Sequence, residues 1–532
     1  MGETSHLDRF VLEHLPPIEQ QPDLIFSLPE LAYPERINAA AELLRRALAA
    51  AGPDARALID HDHEFSWGRV DAISGRMARV LVEDMGLVPG NRVLLHGPNS
   101  AWTVMAWFAI LKAGGVVVAT MPMLRAAELA TVIDKARISH ALVYEVLSDV
   151  VAEAAGTAPT LTRIMDSASL QAAARAQSTP LEPVNTAAED PALIAFTSGT
   201  TGKPKGCVHF HRDILAMADT FGCHIVSLTK DDIVVGTPPI AFTFGLGGLV
   251  VFPSAVGAAT AFAARPGFDA LAETVARRRA TALVTAPTGY RALLNLAGDH
   301  DLSSLRTCVS AGEALPAATS DAWHDATGVR IIDGIGSTEM IHVFISASGE
   351  DIRPGATGKV VPGYEARIID ADGHPLAASE TGRLAVRGPT GCRYLDDDRQ
   401  AAYVQKGWNL TGDIYRQDAD GYFWFLARAD DMIVSSGYNI GAPEVENALL
   451  RHPAVAEVAV IGVPDAERGQ IVKAFVVLNP EHSPSDDLRT RLQDHVKDVI
   501  APYKYPRALD FVAGLPRTQT GKLQRFRLKV DA

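Results

Sequence analysis

The sequence contains little cysteine and no excess of positive charge. Four cysteines are scattered over 532 residues without a C-x-x-C pair, which suits a reducing compartment and indicates no disulfide framework. Acidic residues outnumber basic ones by 63 to 49, and the net charge of -14 makes a nucleic acid or an anionic membrane surface an unfavourable partner. Any anionic ligand must therefore be bound by a local group of donors and cations.

Targeting and membrane signals are also scarce. The amino terminus has no basic start followed by an apolar core, and His6 does not fit the myristoylation pattern. The one long uncharged stretch, residues 241–264, is interrupted by glycines and Pro253, so a buried helix, turn and strand are expected there instead of a membrane span. These features predict a cytoplasmic protein without a membrane partner.

Apolar, strand-like runs alternate with helix-period segments over about the first 420 residues. Residues 91–145, for example, are predicted to form strand, helix, strand, helix and strand in turn. This pattern is typical of an α/β fold with largely parallel sheets. With 47% apolar residues the chain can bury a large core, and its length indicates more than one domain.

The pattern changes near residues 428–431, where a polar turn leads into a short helix, two strands, another helix and a basic tail. We therefore predict a large N-terminal domain of stacked α/β subdomains at 1–429. A small, mobile α+β domain is predicted at 430–532.

A loop rich in glycine, threonine and lysine follows a predicted strand in ALIAFTSGTTGKPKG, residues 192–206. Its glycines allow close backbone approach, its hydroxyl and N–H groups donate, and its lysines supply charge, so the loop suits a polyphosphate. It is not a Walker A loop, because Gly199 and Gly202 are too close together and Pro204 prevents the helix that would follow.

Residues 197–206 resemble the T-S-G-T-T-G-x-P-K-G signature of the acyl-adenylating superfamily, which contains acyl-CoA synthetases, peptide-synthetase adenylation domains and firefly luciferase. The resemblance covers nearly the whole chain and implies a loop over the β- and γ-phosphates of ATP. The residues that it implies for phosphate binding are Thr197, Ser198, Gly199, Thr200, Thr201, Gly202, Lys203 and Lys205.

Two further motifs of the superfamily follow in the same order. The segment SAGEALP at 310–316 is similar to the adenine-binding segment, and DGIGSTEM at 333–340 is similar to the Y-G-x-T-E motif. This implies that Thr338 contacts the α-phosphate and that Glu339 helps to hold Mg2+, which prefers carboxylate and phosphate oxygens. Because Ile335 replaces the aromatic residue of many relatives, base stacking is not implied there. The residues implied along the nucleotide base are Gly312, Glu313 and Ala314, and Asp333 is a further residue predicted to bind the cofactor.

Three more similarities lie near the predicted domain boundary. The segment NLTGDIY resembles the T-G-D motif, which implies that Asp413 accepts the ribose hydroxyls. The R-x-D-D element that follows implies that Arg428 also reaches the ribose and that Asp430 is the interdomain hinge. The segment SSGYNIG resembles the loop that lines the pantetheine tunnel of CoA ligases, with Gly437 small enough to let the thiol pass.

The C-terminal tail, LPRTQTGKLQR at 515–525, resembles the P-x-T-x-T-G-K-x-x-R motif, which implies that Lys522 is the catalytic lysine of adenylation. When a carboxylate attacks the α-phosphorus of ATP, two anions approach each other, and a fixed cation between them lowers the barrier. The co-substrates and cofactor implied are ATP, coenzyme A and Mg2+.

The segment PIAFTFGLGG at 239–248 stands where relatives line the acyl pocket. Its phenylalanines suit a planar ring, although they could equally be core residues. The chain most resembles aryl-CoA ligases of the benzoate and 2-aminobenzoate type, and LPELAYPERINAAAELL at 28–44 favours 2-aminobenzoate. The predicted pocket residues are Phe242, Thr243, Phe244, Gly334, Ile335 and His342, of which Thr243 or His342 would receive an ortho amino group.

Three functions are left open by the sequence. The first is an AMP-forming aryl-CoA ligase for 2-aminobenzoate, with benzoate close behind. The second, less favoured, is a freestanding adenylating enzyme that loads a carrier protein. The third is an ATPase or nucleotide-binding module, which would release ADP and phosphate or nothing at all. The oligomeric state is not indicated, and a homodimer is left open.

Overall fold

The computed structural model describes residues 3–197, 204–435, 438–465, 468–517 and 523–530. Within these ranges the strands are β1 (Arg56–Ile59), β2 (Glu64–Ser66), β3 (Arg92–His96), β4 (Val116–Thr120), β5 (His140–Val143), β6 (Arg163–Asp166), β7 (Pro191–Thr197), β8 (Lys205–Phe210), β9 (Ile233–Gly236), β10 (Ala259–Ala261), β11 (Ala282–Thr285), β12 (Thr307–Ala311), β13 (Ile331–Gly336), β14 (Val343–Ser346), β15 (Lys359–Val360), β16 (Glu365–Ile369), β17 (Thr381–Arg387), β18 (Val404–Gln405), β19 (Trp408–Gln417), β20 (Phe423–Arg428), β21 (Met432–Ser435), β22 (Tyr438–Gly441), β23 (Val455–Asp465), β24 (Gly469–Leu478) and β25 (Ala508–Phe511). The α-helices of the same ranges are α1 (Phe10–Glu13), α2 (Ala39–Ala51), α3 (Trp67–Glu83), α4 (Ala101–Lys112), α5 (Ala126–Lys135), α6 (Ser148–Ala155), α7 (Ser167–Ala176), α8 (His211–Met217), α9 (Thr243–Leu246), α10 (Phe252–Val256), α11 (Phe268–Arg278), α12 (Pro287–Leu294), α13 (Ala317–Thr327), α14 (Gln400–Tyr403), α15 (Ala442–Leu449), α16 (Asp486–Val499) and α17 (Arg525–Val530).

A six-stranded sheet confirms the predicted alternation of strands and helices. Its order is β6-β5-β3-β4-β7-β8, and all neighbours are parallel except β7 and β8. Helix α4 connects β3 to β4 and is buried along its whole length, which explains its continuous apolar sequence. The hydroxyl of Ser100 accepts a hydrogen bond from the backbone N–H of Thr103 and so caps the start of this helix.

A nine-stranded sheet carries the predicted adenine-binding residues and the turn with Thr338 and Glu339. Its order is β15-β14-β13-β12-β11-β9-β10-β1-β2, and the strands from β13 to β1 in this order run parallel. The turns after β12 and β13 therefore lie side by side at the carboxyl edge of the sheet, where α/β proteins commonly bind ligands.

The uncharged stretch at 241–264 is divided as predicted. It forms α9, a π-helical segment at Gly247–Val251, α10 and β10. A second π-helical segment, Ala218–Val226, extends α8. No helix in the described part of the chain is long and apolar enough to cross a membrane.

A five-stranded antiparallel sheet departs from the predicted alternation. Strands β16-β17-β19-β18 form it in this order, and β20 pairs with β19. The long strands here are joined largely by turns and not by crossover helices, so their neighbours run antiparallel. The expectation of α/β alternation up to about residue 420 is therefore wrong for residues 365–428, although the α/β fold class is confirmed.

The C-terminal unit is a compact α+β structure, as predicted. Its sheet has the order β22-β21-β24-β23, with β25 parallel to β24. Helices α15 and α16 contribute Val445 and Leu492 to its buried core. A single 3-10 turn, Ala429–Asp431, joins β20 to β21, so the predicted boundary falls on a short connection. The exact division at 429 and 430 stays a prediction.

Candidate active site

Three distant parts of the sequence meet around the carboxylate of Glu339. This residue follows β13, Lys205 begins β8, and Tyr394 lies in the loop after β17. The Lys205 Nζ lies 3.3 Å from the Glu339 Oε1, and the Tyr394 hydroxyl lies 2.6 Å from each of these two atoms. The structure thus brings two predicted site residues together with a tyrosine that the sequence did not indicate.

Thr338 is held by a buried histidine. The Nε2 of His209 lies 2.7 Å from the backbone carbonyl oxygen of Thr338, and because a carbonyl only accepts, this nitrogen must carry the proton. The imidazole is fully buried, and its Nδ1 lies 3.6 Å from the Asp213 Oδ2. His209 therefore fixes the turn that carries Thr338 and Glu339.

The predicted adenine-binding residues lie on the turns after β12 and along β13. Gly312 has a φ of 93°, which favours glycine, and a Cβ at Gly334 would come within 2.6 Å of Val343. Loss of solvation raises the pKa of Asp333 to about 7, even though the backbone N–H groups of Gly334 and Leu315 favour its anion. The buried Asp333 Oδ1 has no hydrogen-bond partner among the described residues, so it is available to a ligand.

The predicted ribose-binding residues pair across an antiparallel ladder. Asp413 on β19 lies opposite Arg428 on β20, and the guanidinium donates to its Oδ1 at 2.8 Å. Burial raises the pKa of Asp413, and the positive charge of Arg428 offsets this only in part. Arg428 also donates to the backbone carbonyl of Thr411. A buried carboxylate is thus held in a fixed orientation beside a half-exposed guanidinium.

Two of the predicted acyl-pocket residues, Phe244 and His342, belong to an aromatic cluster. His342 is buried, and its ring centroid lies 4.8 Å from that of Phe252, 5.2 Å from that of Phe221 and 5.9 Å from that of Phe244. Burial lowers the pKa of His342 to about 3, and the backbone of Phe244 offsets this only in part. Neither ring nitrogen makes a hydrogen bond of normal geometry with the described residues, although the Phe244 backbone lies near enough to favour the charged form. The imidazole is therefore uncharged at neutral pH and has one acceptor and one donor to offer.

A small apolar cavity adjoins this cluster. Its lining consists of Val226, Leu228, Val234, Phe244, Gly248, Phe252, Ala282, Val284 and Val309. Of the predicted pocket residues, only Phe244 is among them. Thr243 is buried in the same helical turn, and Gly334 and Ile335 lie on β13 outside the cavity wall. A Cβ at Gly247 would meet the His342 Nε2 at 2.4 Å, so this glycine lets the imidazole pack against the π-helical segment.

Several predicted residues lie outside the described ranges. They are Ser198, Gly199, Thr200, Thr201, Gly202, Lys203, Gly437 and Lys522, and the side chain of Asp430 is likewise not described. The residues that flank the first loop, Thr197 and Lys205, pair with each other on β7 and β8.

The residues on either side of positions 518–522 in the C-terminal motif also pair. Arg517 and Leu523 form an isolated antiparallel bridge. The guanidinium of Arg517 lies 3.9 Å from the carboxylate of Glu313 and 2.6 Å from that of Glu457. Leu523, the neighbour of Lys522, is therefore paired with a residue that contacts the turn after β12.

Two parts of the chain match known protein families. Residues 45–393 match the AMP-binding enzyme family, and residues 444–522 match the AMP-binding enzyme C-terminal domain. A benzoate–CoA ligase of Thauera aromatica is 35% identical over 513 residues, which cover 94% of this chain and 97% of that protein.

Two solved structures are similar over almost the whole chain. The anthranilate CoA ligase AuaEII in complex with anthranoyl-AMP superimposes with a TM-score of 0.90 at 37% identity, covering 95% of this chain and 99% of that one. A benzoate CoA ligase from Burkholderia xenovorans LB400 gives a TM-score of 0.85 at 32% identity, covering 93% and 100%.

The stacked sheets, the small C-terminal unit and the charged turns at the sheet edge define an adenylate-forming enzyme. The chain belongs to the AMP-binding enzyme family, within the acyl-adenylating superfamily. It is an AMP-forming acid–thiol ligase that uses ATP, Mg2+ and coenzyme A.

The described residues fit these ligands. The unpartnered Oδ1 of Asp333 can accept a hydrogen bond from an exocyclic amino group of the nucleotide base. The carboxylate of Glu339 is 8% exposed and lies beside the predicted phosphate loop, and such an oxygen is what Mg2+ prefers.

Proposed function

We propose that this protein is an aryl-CoA ligase whose preferred acid is 2-aminobenzoate. The first step would join the carboxylate to the α-phosphate of ATP and release pyrophosphate. The second would transfer the aryl group to the thiol of coenzyme A and release AMP. The observation that carries the choice of acid is the buried, uncharged and unpartnered imidazole of His342 beside an apolar cavity.

The lining of the cavity is apolar and partly aromatic, which suits an aryl ring. Phe244 and Phe252 form flat walls, and Val284 and Val309 close the cavity from the side of the nine-stranded sheet. A Cβ on Gly248 would come within 2.9 Å of Val284, which shows how tightly this wall is packed. A planar acid bound against these walls would also lose less rotamer entropy than an acyl chain.

His342 supplies the polar contact that distinguishes 2-aminobenzoate from benzoate. A neutral imidazole keeps one nitrogen as an acceptor, and an aromatic amine has N–H groups to donate. Phe244 and Phe252 contact the imidazole and also line the cavity. Because His342 lies behind these two rings and does not line the cavity, an ortho amino group would reach its nitrogen only after Phe244 or Phe252 moves aside. Thr243, which is buried in α9, is the second candidate for this contact.

The adenylation step is assigned to residues from both domains. Thr338 and the loop at 197–205 would bind the phosphates, Glu339 would hold Mg2+, and Lys522 would lie between the carboxylate and the α-phosphate. By analogy with other fixed oxyanion donors, the lysine would contribute about 3 kcal/mol to lowering the barrier. Bound Mg2+ would supply charge neutralisation for the pyrophosphate that leaves.

Nucleotide orientation is assigned to three other residues. Asp413 would accept the ribose hydroxyls, with Arg428 beside it, and Asp333 would accept from the base. The ion pair of Asp413 and Arg428 supports this role, because its 2.8 Å hydrogen bond fixes the orientation of the carboxylate.

The thioester step would use a different arrangement of the domains. The contact between Arg517 and Glu313 must open before coenzyme A replaces the C-terminal motif at the site. We propose that the short connection at Ala429–Asp431, with Asp430 as its hinge, absorbs this motion and brings Gly437 to the tunnel.

The experiment that tests the proposal measures coenzyme A-dependent AMP release with a panel of acids. The panel contains 2-aminobenzoate, benzoate, hydroxybenzoates, cinnamate and short fatty acids. We expect the largest kcat/KM with 2-aminobenzoate. A preference for fatty acids would contradict the aryl assignment, and AMP release with a carrier protein but not with coenzyme A would contradict the ligase assignment.

Benzoate is the second candidate substrate. The similarity to the benzoate–CoA ligase of Thauera aromatica favours it, and the aromatic walls of the cavity would accept it equally well. It would leave the nitrogens of His342 without a partner, and a buried polar group without a partner is unfavourable. For this reason we place benzoate second.

A further inference from the structure

The hydroxyl of Tyr394 lies between a cation and a carboxylate of the site. It is 2.6 Å from the Lys205 Nζ and 2.6 Å from the Glu339 Oε1. The direct separation of these two charged atoms is longer, at 3.3 Å. Tyr394 is thus the closest link between them, and its side chain is 1% exposed.

The chemistry of the three groups fixes the direction of each hydrogen bond. The ammonium of Lys205 has only donors, so the tyrosine oxygen must accept from it. The single phenol proton is then left to donate to the carboxylate of Glu339. The Oε1 of Glu339 therefore receives two donors, whereas no residue in the described ranges donates to its Oε2.

Contacts other than those with Lys205 and Glu339 also fix the position of Tyr394. Its backbone bridges to Cys207 on β8, and its N–H donates to the buried Gln400 side chain at 2.9 Å. The ring of Tyr403 packs edge-on at 5.8 Å between centroids. The hydroxyl therefore cannot leave Glu339 without disturbing the surrounding core.

We propose that Tyr394 is a positioning residue for the Mg2+ site. By engaging Oε1, it holds the carboxylate of Glu339 so that Oε2 stays free for the metal. Lys205 assists by fixing the phenol oxygen from the other side. This inference rests on the proposed role of Glu339 as a metal ligand and is independent of which acid the enzyme uses. Groups that orient a metal ligand commonly change metal affinity by about 10-fold or more when they are removed.

The test is calorimetric titration of ATP into the full-length protein, with Mg2+ and with a chelator in place of Mg2+. The ratio of the two Kd values gives the gain in ATP affinity that Mg2+ provides. We expect Tyr394→Phe to reduce this gain by about 10-fold and to leave the affinity for metal-free ATP unchanged. This readout does not depend on turnover, and general loss of stability would not change one Kd without the other.

Tyr422→Phe is the matched control. Tyr422 is also buried, at 2% exposed, and its hydroxyl lies 3.0 Å from the backbone carbonyl oxygen and 3.4 Å from the Oδ1 of Asp351. Tyr422→Phe therefore removes the same kind of contact outside the site. The gain in ATP affinity that Mg2+ provides should be the same in this variant as in the wild type. Thermal unfolding of both variants checks that the two substitutions have similar effects on stability.

Glu339→Gln separates the two assignments. If this variant keeps the full Mg2+ gain, the role of Glu339 as a metal ligand is wrong. If it loses the gain while Tyr394→Phe keeps it, only the proposal for Tyr394 is overturned. Combined with Glu339→Gln, Tyr394→Phe should cause no further loss, because its effect acts through that carboxylate. A further loss of similar size would also overturn the proposal.

Discussion

His342→Leu should lower the preference of the enzyme for 2-aminobenzoate over benzoate. Leucine has nearly the volume of histidine and no polar atoms, so it removes the acceptor while it keeps the contacts with Phe221, Phe244 and Phe252. The amino group of 2-aminobenzoate would then be buried without a partner, whereas benzoate would gain an apolar neighbour.

The size of the effect follows from the burial of the site. A neutral hydrogen bond contributes about 0.5 to 1.5 kcal/mol net, and leaving a buried donor without a partner costs about 1 to 3 kcal/mol. A loss of about 1.4 kcal/mol corresponds to a tenfold change in the ratio of kcat/KM values. We therefore expect the ratio of kcat/KM for 2-aminobenzoate to kcat/KM for benzoate to fall by about tenfold.

The assay is the steady-state rate of AMP release with each acid at saturating ATP and coenzyme A. Benzoate acts as an internal reference, since damage to packing or to adenylation would affect both acids. His342→Gln retains an acceptor and should recover part of the preference. A ratio that stays at the wild-type value in His342→Leu would refute the role of the imidazole and favour Thr243. Because burial lowers the pKa of His342 to about 3, protonation of the imidazole should not change the kcat/KM ratio of the two acids near neutral pH.

Three further predictions concern other parts of the site. Lys522→Ala should lower the rate of adenylation by about 100-fold while thioester formation from supplied aryl-AMP continues, and Gly437→Trp should do the reverse; equal damage to both steps would contradict the two-conformation mechanism. Because the folded-state pKa of Asp333 is raised from 3.8 to about 7, the folded protein holds a proton that the unfolded chain loses, so this group lowers stability as pH rises through that interval. Asp333→Asn should therefore be more stable than the wild type at pH 8 by up to about 4 kcal/mol and gain nothing at pH 4, as measured by urea unfolding. His209→Leu should leave the carbonyl of Thr338 without its donor and lower the free energy of unfolding by about 1 to 3 kcal/mol, with a smaller loss for His209→Gln; equal stability of the two variants would show that the hydrogen bond is unimportant.

Local sequence patterns predicted the alternating elements of the parallel sheet. The apolar runs of β3, β4 and β5 and the helices between them lie where the alternation predicts them. The antiparallel sheet of residues 365–428 was not predicted, because strand pairing depends on which segments meet in space and its strands carry no crossover helices.

The motifs likewise predicted which residues meet, but not the groups that hold them. Lys205 and Glu339 come within hydrogen-bonding distance although 134 residues separate them in sequence. Tyr394 and His209, which fix Glu339 and Thr338, were missed because each acts through a long-range contact that leaves no local pattern. The burial of the His342 imidazole without a hydrogen bond of normal geometry could not be predicted either, because both properties appear only in the folded chain.

The central claim, a coenzyme A ligase selective for 2-aminobenzoate, is tested most directly by competition. Equal concentrations of 2-aminobenzoate and benzoate are supplied with Mg2+, ATP and coenzyme A, and the two thioesters are quantified by mass spectrometry at low conversion. The product ratio equals the ratio of kcat/KM values, so 2-aminobenzoyl-CoA should predominate, with AMP and pyrophosphate formed in equal amounts. A majority of benzoyl-CoA would contradict the assigned acid, and ADP with phosphate in place of AMP would contradict the assigned reaction.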